Sequence, residues 1–174
     1  MSLLLPVRYP AKHYSHLDAG APQLADVNGA IKTILKACLV TGYGDKAGAG
    51  WTALFDDAFR IVLRRPLRTG NPPDVKIENG ISNRHQIISQ DNPTSITDTK
   101  KLASVRLLAR DRTHGVGWHL IACDFGFVFV YQMSENGYRY EAIQYDLLYV
   151  GGTKSLADQT GGMYASYHTG TAAN

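Results

Sequence analysis

The chain has few cysteines, little charge and no long apolar run. Its two cysteines, Cys38 and Cys123, lie in no CxxC pattern within 174 residues, so neither a zinc knuckle nor a redox pair is predicted. No segment approaches the roughly 20 apolar residues of a membrane span. The start, MSLLLPVRYP, is interrupted by Pro6 and is too short for a signal-peptide core. We therefore expect a protein made in a reducing cytoplasm, with no membrane partner.

Positive charge is also scarce. Lysine and arginine number 18 against 15 acidic residues, a net charge of +3, and the single dense basic cluster is RIVLRRPLR at residues 60–68. A protein that binds the phosphate backbone usually carries a stripe of clustered basic residues. We therefore predict no nucleic-acid partner, and we interpret these arginines as a solvated strand edge.

What is present favours one globular domain. Hydrophobic residues make up 44% of the 174 residues, enough for a core in a single domain. We divide the chain into an N-terminal arm (1–22) with a short strand predicted at 3–9, a globular domain (23–150), and a Gly/Ser/Tyr-rich tail (151–174). The tail has no usable period and is expected to be loop-like or ordered only against a partner.

One amphipathic helix is predicted at about residues 26–40. Its apolar positions recur at the i, i+3, i+4, i+7 spacing of a helix face, from Leu24 to Leu39. Asp26 or Asn28 is the expected N-cap, and Gly42 the residue that ends the helix. Lys32 and Lys36 are expected to face solvent.

Seven short segments after the helix show the alternation and turn residues of β-strands. They are AFRIVLRR, DVKIENG, RHQIISQ, SVRLLARD, GWHLIACD, GFVFVYQM and YRYEAIQYDLLYV. The last three are predicted to form an antiparallel meander that turns at 124–126 and again at Asn136-Gly137. The middle one is apolar on both faces, with Phe125, Phe127, Phe129 and Tyr131 opposite Val128 and Val130, so it should be central. The expected fold class is α+β: predominantly antiparallel sheet or sandwich, one amphipathic N-terminal helix, and extended N- and C-terminal arms.

The glycine-rich segment ACLVTGYGDKAGAGWT, residues 37–52, resembles a phosphate loop only in composition. Such loops place backbone N–H groups at the positive N-terminus of a following helix. Here the glycines follow the helix, so they lie at its negative C-terminus. We interpret the segment as a helix stop and a flexible turn that brings Trp51 to the sheet.

No catalytic or metal site is predicted. His13 and His16 with Asp18 form one set of metal-type ligands and His114 with His119 another, but neither has a third ligand at a suitable spacing. There is no G-x-S-x-G elbow, and Cys38 falls on the buried helix face. The prediction is therefore no enzyme, no metal and no cofactor.

Ten tyrosines are the remaining enrichment. Tyrosine suits protein interfaces and sugar stacking, because it buries a large area and keeps a polar tip. The alternative is that several tyrosines only cover sheet edges.

Two segments resemble a family of small tailed-bacteriophage and prophage virion proteins. In that family an H-x-D-A-x-A-P-x-L segment precedes a helix that ends in A-C-L-V-x-G-Y-G-x-K-x-A-x-G-W. The matching positions here are His16, Asp18, Ala19, Ala21, Pro22 and Leu24, then residues 37–44, Lys46, Ala47, Gly50, Trp51 and Thr52. Weaker similarity extends the resemblance over roughly residues 13–150.

The resemblance implies a structural part of a virion and offers no catalytic residues. We expect a tail, baseplate or connector-associated component, made in the bacterial host cytoplasm, that contacts copies of itself and other virion proteins. The alternatives are a capsid decoration protein and a virion-borne module that binds a host-surface carbohydrate through exposed aromatic residues such as Trp51 and the late tyrosines. The candidate interface residues are Tyr9, His13, His16, Tyr43, Trp51, Tyr164 and Tyr167.

Overall fold

A computed structural model of the chain shows two antiparallel sheets and one short helix, so the fold is mostly β. It describes residues 10–24, 29–66, 74–79, 85–90, 93–98, 101–107, 115–124, 126–134, 142–153 and 162–173. The predicted strand at 3–9, the N-cap candidates Asp26 and Asn28, Phe125 and the Asn136-Gly137 turn lie outside these residues.

Sheet I contains the first strand and the last four, in the order β1-β7-β8-β9-β10. Its strands are β1 (Lys12–Ser15), β7 (Gly115–Cys123), β8 (Gly126–Ser134), β9 (Ala142–Thr153) and β10 (Gly162–Ala173). The hairpin of β7 and β8 brings Cys123 opposite Gly126, which confirms the predicted turn. β8 lies in the middle of the sheet with Phe127, Phe129 and Tyr131 buried, which confirms the prediction of a central strand.

Sheet II is a meander of consecutive strands, β2-β3-β4-β5-β6. Its strands are β2 (Thr52–Asp56), β3 (Arg60–Arg64), β4 (Asp74–Asn79), β5 (His85–Gln90) and β6 (Lys101–Leu107). All seven predicted strands are therefore present, as β3 to β9. The Cα atoms of β6 come within contact distance of β10, although the two are not neighbours in either sheet.

The helix α1 (Ala30–Lys36) continues directly into a π-helical segment (Ala37–Thr41). It begins about four residues later than predicted, because Gly29 has a left-handed φ of 86° that no α-helix accommodates. Gly42 ends the π-helical segment with a φ of 78°, as predicted. Lys32 is a correction to the prediction, since it is buried and its ammonium lies 2.5 Å from Asp56 at the end of β2.

One hydrophobic core joins the helix to both sheets. The helix contributes Ile34, Leu35, Cys38 and Leu39, all fully buried, which confirms the predicted apolar face. α1 packs on β3, and the π-helical segment contacts β2 and β7. Burial raises the pKa of the Cys38 thiol to about 12, so this cysteine is a protonated core residue.

Three strands were not predicted, namely β1, β2 and β10. β1 lies in the segment expected to be an irregular arm, and all four of its residues pair with β7. β10 lies in the segment expected to be loop-like, and its twelve residues pair with β9 from Gly162 to Ala173. Residues 12–15 and 162–173 are thus the two edge strands of sheet I.

Candidate assembly interface

The predicted interface residues fall mainly at the two edges of sheet I. His13 belongs to β1 at one edge, with His16 and Tyr43 close to it. Tyr164 and Tyr167 belong to β10 at the opposite edge, four strands away. Tyr9 lies outside the described residues. The sequence therefore predicted a mixed set of residues that the fold separates into two surfaces.

Asp18 organises the first of these surfaces. Its Oδ2 accepts hydrogen bonds from the Tyr43 hydroxyl and the Lys46 ammonium, both at 2.7 Å, and from the Ser15 backbone N–H at 2.8 Å. Lys46 also donates to the carbonyl of His13 at 3.0 Å. One carboxylate thus ties the turn after β1 to the loop after the helix.

The ionisation of these groups follows from their contacts. The Lys46 ammonium hydrogen-bonded to Asp18 holds the pKa of that carboxyl down, to about 2. Burial and the donation to Asp18 raise the pKa of the Tyr43 phenol, which therefore stays a neutral donor. Sequence reasoning considered Asp18 as a metal ligand and as a motif position of the resemblance but missed this role, because Tyr43 and Lys46 are 25 and 28 positions away.

The glycine-rich loop after the helix is tightly packed, which corrects the prediction of a flexible turn. The backbone N–H groups of Ala49 and Trp51 donate to the carbonyls of Cys38 and Leu39, at 2.9 Å each, so the loop caps the helix end. A Cβ on Gly48 would lie 2.4 Å from the Val40 carbonyl oxygen, and one on Gly44 would lie 2.3 Å from that of Ala19. These glycines serve close backbone packing.

Three histidines meet on the outer face of the β1 edge. The His13 and His119 rings are stacked with an interplanar angle of 10°, and His13 Nε2 lies 3.3 Å from His119 Nδ1. His16 meets the His119 ring edge-on, with centroids 5.5 Å apart. The prediction had paired His119 with His114, which lies outside the described residues. The antiparallel pairing of β1 with β7 instead brings it to His13 and His16.

Backbone contacts fix this cluster. The Trp118 N–H lies 3.2 Å from His16 Nδ1, and the His16 ring occupies the space that a side chain at Gly117 would fill. Partial burial, with the neighbouring His13 and His16, lowers the pKa of His119. His119 is exposed, as the predicted alternation of the strand required.

Trp51 is a correction to the predicted interface. Only 3% of the residue is exposed; its ring packs edge-on against Phe127, and its Nε1 donates to the Cys123 carbonyl at 3.1 Å. It joins the glycine-rich loop to sheet I from inside the core. The idea that Trp51 is an exposed aromatic for stacking on a sugar is therefore wrong.

The arginines of the basic segment also differ from the prediction of a solvated edge. Arg64 makes two hydrogen bonds to Asp74, at 2.7 and 2.9 Å, and Asp74 is buried. Arg60 pairs with Asp57 in the turn between β2 and β3, and Arg65 is 6% exposed. β3 itself lies between β2 and β4 and is not an edge strand.

The second surface is the outer edge of β10, on the side away from β9, which is the only described strand that pairs with β10. This strand pairs with β9 over twelve residues without a register shift, and its sequence, GMYASYHTGTAA, contains no lysine, arginine, acidic residue or proline. The other edge strands of the described sheets are protected in the ways natural edges usually are. β1 has four residues including a lysine, β2 has five with a register shift, and β6 carries Lys101 and Arg106 with a register shift.

Within the described ranges, no group of three or more His, Cys, Asp or Glu side chains is arranged to hold a metal ion. No helix in the same part of the chain is long and apolar enough to cross a membrane. Comparison of the chain with protein-family models, with curated proteins and with solved structures finds no match.

Proposed function

We propose that this chain is a structural component of a tailed-phage virion, in the tail, baseplate or connector region, that works through contacts between subunits. The outer edge of β10 carries this proposal, because no described strand other than β9 pairs with β10 and its sequence contains no lysine, arginine, acidic residue or proline. A strand edge offers a row of backbone donors and acceptors, and a neighbouring chain can pair with it. At about 3.4 Å per residue, a twelve-residue strand offers a ladder about 40 Å long.

The contact between β10 and β6 leaves room for such pairing. β6 has seven residues and β10 has twelve. Even if all of β6 lay along β10, β6 would therefore cover only part of the longer strand. Main-chain pairing needs few specific side chains, which suits a strand rich in glycine, alanine, serine and threonine.

The resemblance to virion proteins gains support from the way its two motifs meet. Asp18, in the first motif, binds Tyr43 and Lys46 of the second. Gly44 of the second motif packs against the carbonyl of Ala19 in the first. The residues that carry the resemblance are thus one structural unit. The contacts between the two motifs explain why these side chains and glycines occur together in one sequence.

Self-association of the full chain tests the proposal. We expect native mass spectrometry and light scattering to detect oligomers whose fraction rises with concentration. Thr169→Lys in β10 should lower that fraction, because a charge at a paired edge costs desolvation. The matched control is Thr52→Lys, which places the same substitution on the exposed Thr52 of the β2 edge. A wild type that stays monomeric throughout, or an equal effect of both variants, would contradict the proposal.

Capsid decoration and carbohydrate binding at the host surface are the alternatives. The burial of Trp51 removes one of the aromatic residues on which the carbohydrate alternative depended. A glycan array separates the two kinds of role, since we expect a purely structural subunit to bind none of the sugars. Specific binding on the array would favour the carbohydrate module.

A further inference from the structure

The outer face of the β1 edge carries two exposed histidines whose ring nitrogens point at one another. His13 and His119 are 106 positions apart in the chain, and their Nε2 and Nδ1 atoms are 3.3 Å apart. We propose that this pair is a two-histidine chelate for a divalent transition-metal ion of the zinc or nickel type. The proposal is independent of assembly through β10, at the other edge of the sheet.

The distance between the nitrogens fits a shared metal ion. Two imidazole nitrogens bound to one tetrahedral zinc at 2.0–2.1 Å lie about 3.3 Å apart. The rings lie in nearly parallel planes, 10° apart, and their nitrogens face each other, so each ring must rotate for its lone pair to converge on a shared ion. When the metal binds, the nitrogen that donates the hydrogen bond gives up its proton, and that ring takes its other tautomer with the proton on the remaining nitrogen.

The backbone holds the two rings in place without the metal. His13 pairs with Ile121, and Ser15 pairs with His119, so the two histidines are diagonal neighbours across the β1–β7 ladder. Both residues are exposed, which leaves a path for an ion from solvent. Because both side chains are exposed, the rings can rotate into a chelating orientation without a change in the pairing of β1 with β7.

The charges around the pair permit binding. The Lys46 ammonium, which donates to the backbone carbonyl of His13, is paired with Asp18 at 2.7 Å. His16 lies against His119, but its Nδ1 is engaged by the Trp118 backbone. Water is the expected ligand at the remaining positions of the ion.

Titration of the untagged full chain with zinc and nickel ions tests the proposal. We expect isothermal titration calorimetry near neutral pH to show one ion per chain. His13→Gln and His119→Gln should each weaken binding by about tenfold or more, because one donor is then lost. His168→Gln, on β10 at the opposite edge, is the matched control and should bind like the wild type.

A second readout separates chelation from a change in folding. Copper(II) bound to the wild type should show the electron paramagnetic resonance signature of two nitrogen ligands, reduced to one in either single variant. Circular dichroism without metal should show the same melting temperature for His13→Gln as for the wild type, since His13 is exposed. Equal metal affinities in the wild type and the double variant, or a loss in His168→Gln as large as in His13→Gln, would overturn the proposal.

Discussion

Replacing Asp18 with asparagine should destabilise the turn after β1. The substitution keeps the shape of the side chain and removes the charge that Lys46 and Tyr43 contact at 2.7 Å. A carboxyl pKa that falls from 3.8 to about 2 corresponds to about 2 kcal/mol in favour of the folded state. Solvent reaches 22% of the Asp18 side chain and 38% of the Lys46 side chain, and it screens their interaction. We therefore expect Asp18→Asn to lower the free energy of unfolding by about 1–2 kcal/mol.

The pH dependence has a definite sign. Because folding lowers the pKa of Asp18, its contribution is fully present above the unfolded pKa of about 3.9 and is lost as pH falls through the folded value of about 2. At pH 7, Asp18→Asn should therefore have a lower free energy of unfolding than the wild type. At pH 2 the wild type has lost most of the Asp18 contribution, so the two proteins should differ little in stability.

Urea unfolding followed by circular dichroism, repeated between pH 7 and pH 2, measures both effects. The matched control is Asp45→Asn, which removes an exposed charge from the same loop and should change stability by less than about 0.5 kcal/mol. If Asp18→Asn is as stable as the wild type at pH 7, or if Asp45→Asn costs as much, the assignment of Asp18 as the organising residue is wrong.

Two further substitutions test the loop and the core by the same unfolding measurement. Gly48→Ala should cost about 1–3 kcal/mol, because its Cβ would lie 2.4 Å from the Val40 carbonyl oxygen. Gly50→Ala is its control. It should cost only about 1–2 kcal/mol from left-handed strain, since the nearest atom to its Cβ would be 3.6 Å away. A larger loss of stability in Gly50→Ala than in Gly48→Ala would contradict the close packing at Gly48. Trp51→Ala should lower the free energy of unfolding by about 3–5 kcal/mol because the side chain is buried. Trp51→Phe should recover most of that loss. If Trp51→Ala is as stable as the wild type, the indole is not a core residue.

The alternation of apolar residues was sufficient to predict the seven strands β3 to β9, because each has local turn residues beside it. β8 could be placed in the centre because both of its faces are apolar. In the structure the face with Phe127, Phe129 and Tyr131 is buried, whereas Val128 and Val130 on the other face are half-buried. β10 could not be predicted in this way. Its glycines, alanines, serines and threonines give a weak local preference, and its order comes from twelve residues of pairing with β9.

The candidate interface was predicted only in part for a similar reason. His13, His16 and Tyr43 were selected by residue type, whereas the meeting of His13 with His119 depends on a strand pairing between distant segments. Trp51 was placed at the surface because tryptophan is common in interfaces, but its hydrogen bond to Cys123 and its contact with Phe127 bury it. One signal in the sequence could have indicated the role of Asp18. Asp18 belongs to the first motif of the resemblance and Lys46 to the second, so the two motifs contain residues of opposite charge.

The pairing of β1 with β7 also sets an order of events during synthesis. Among the described strands these are the only ladder neighbours that are not consecutive in the chain, and all five strands of sheet II lie between them. A nascent chain can therefore complete sheet II, strand by strand, before the partner of β1 has left the ribosome. Joining Lys12 to Ala122 closes a loop of about a hundred residues, an entropic cost that nearby pairings avoid. The edge that carries the histidines is thus expected to be among the last parts of the molecule to form.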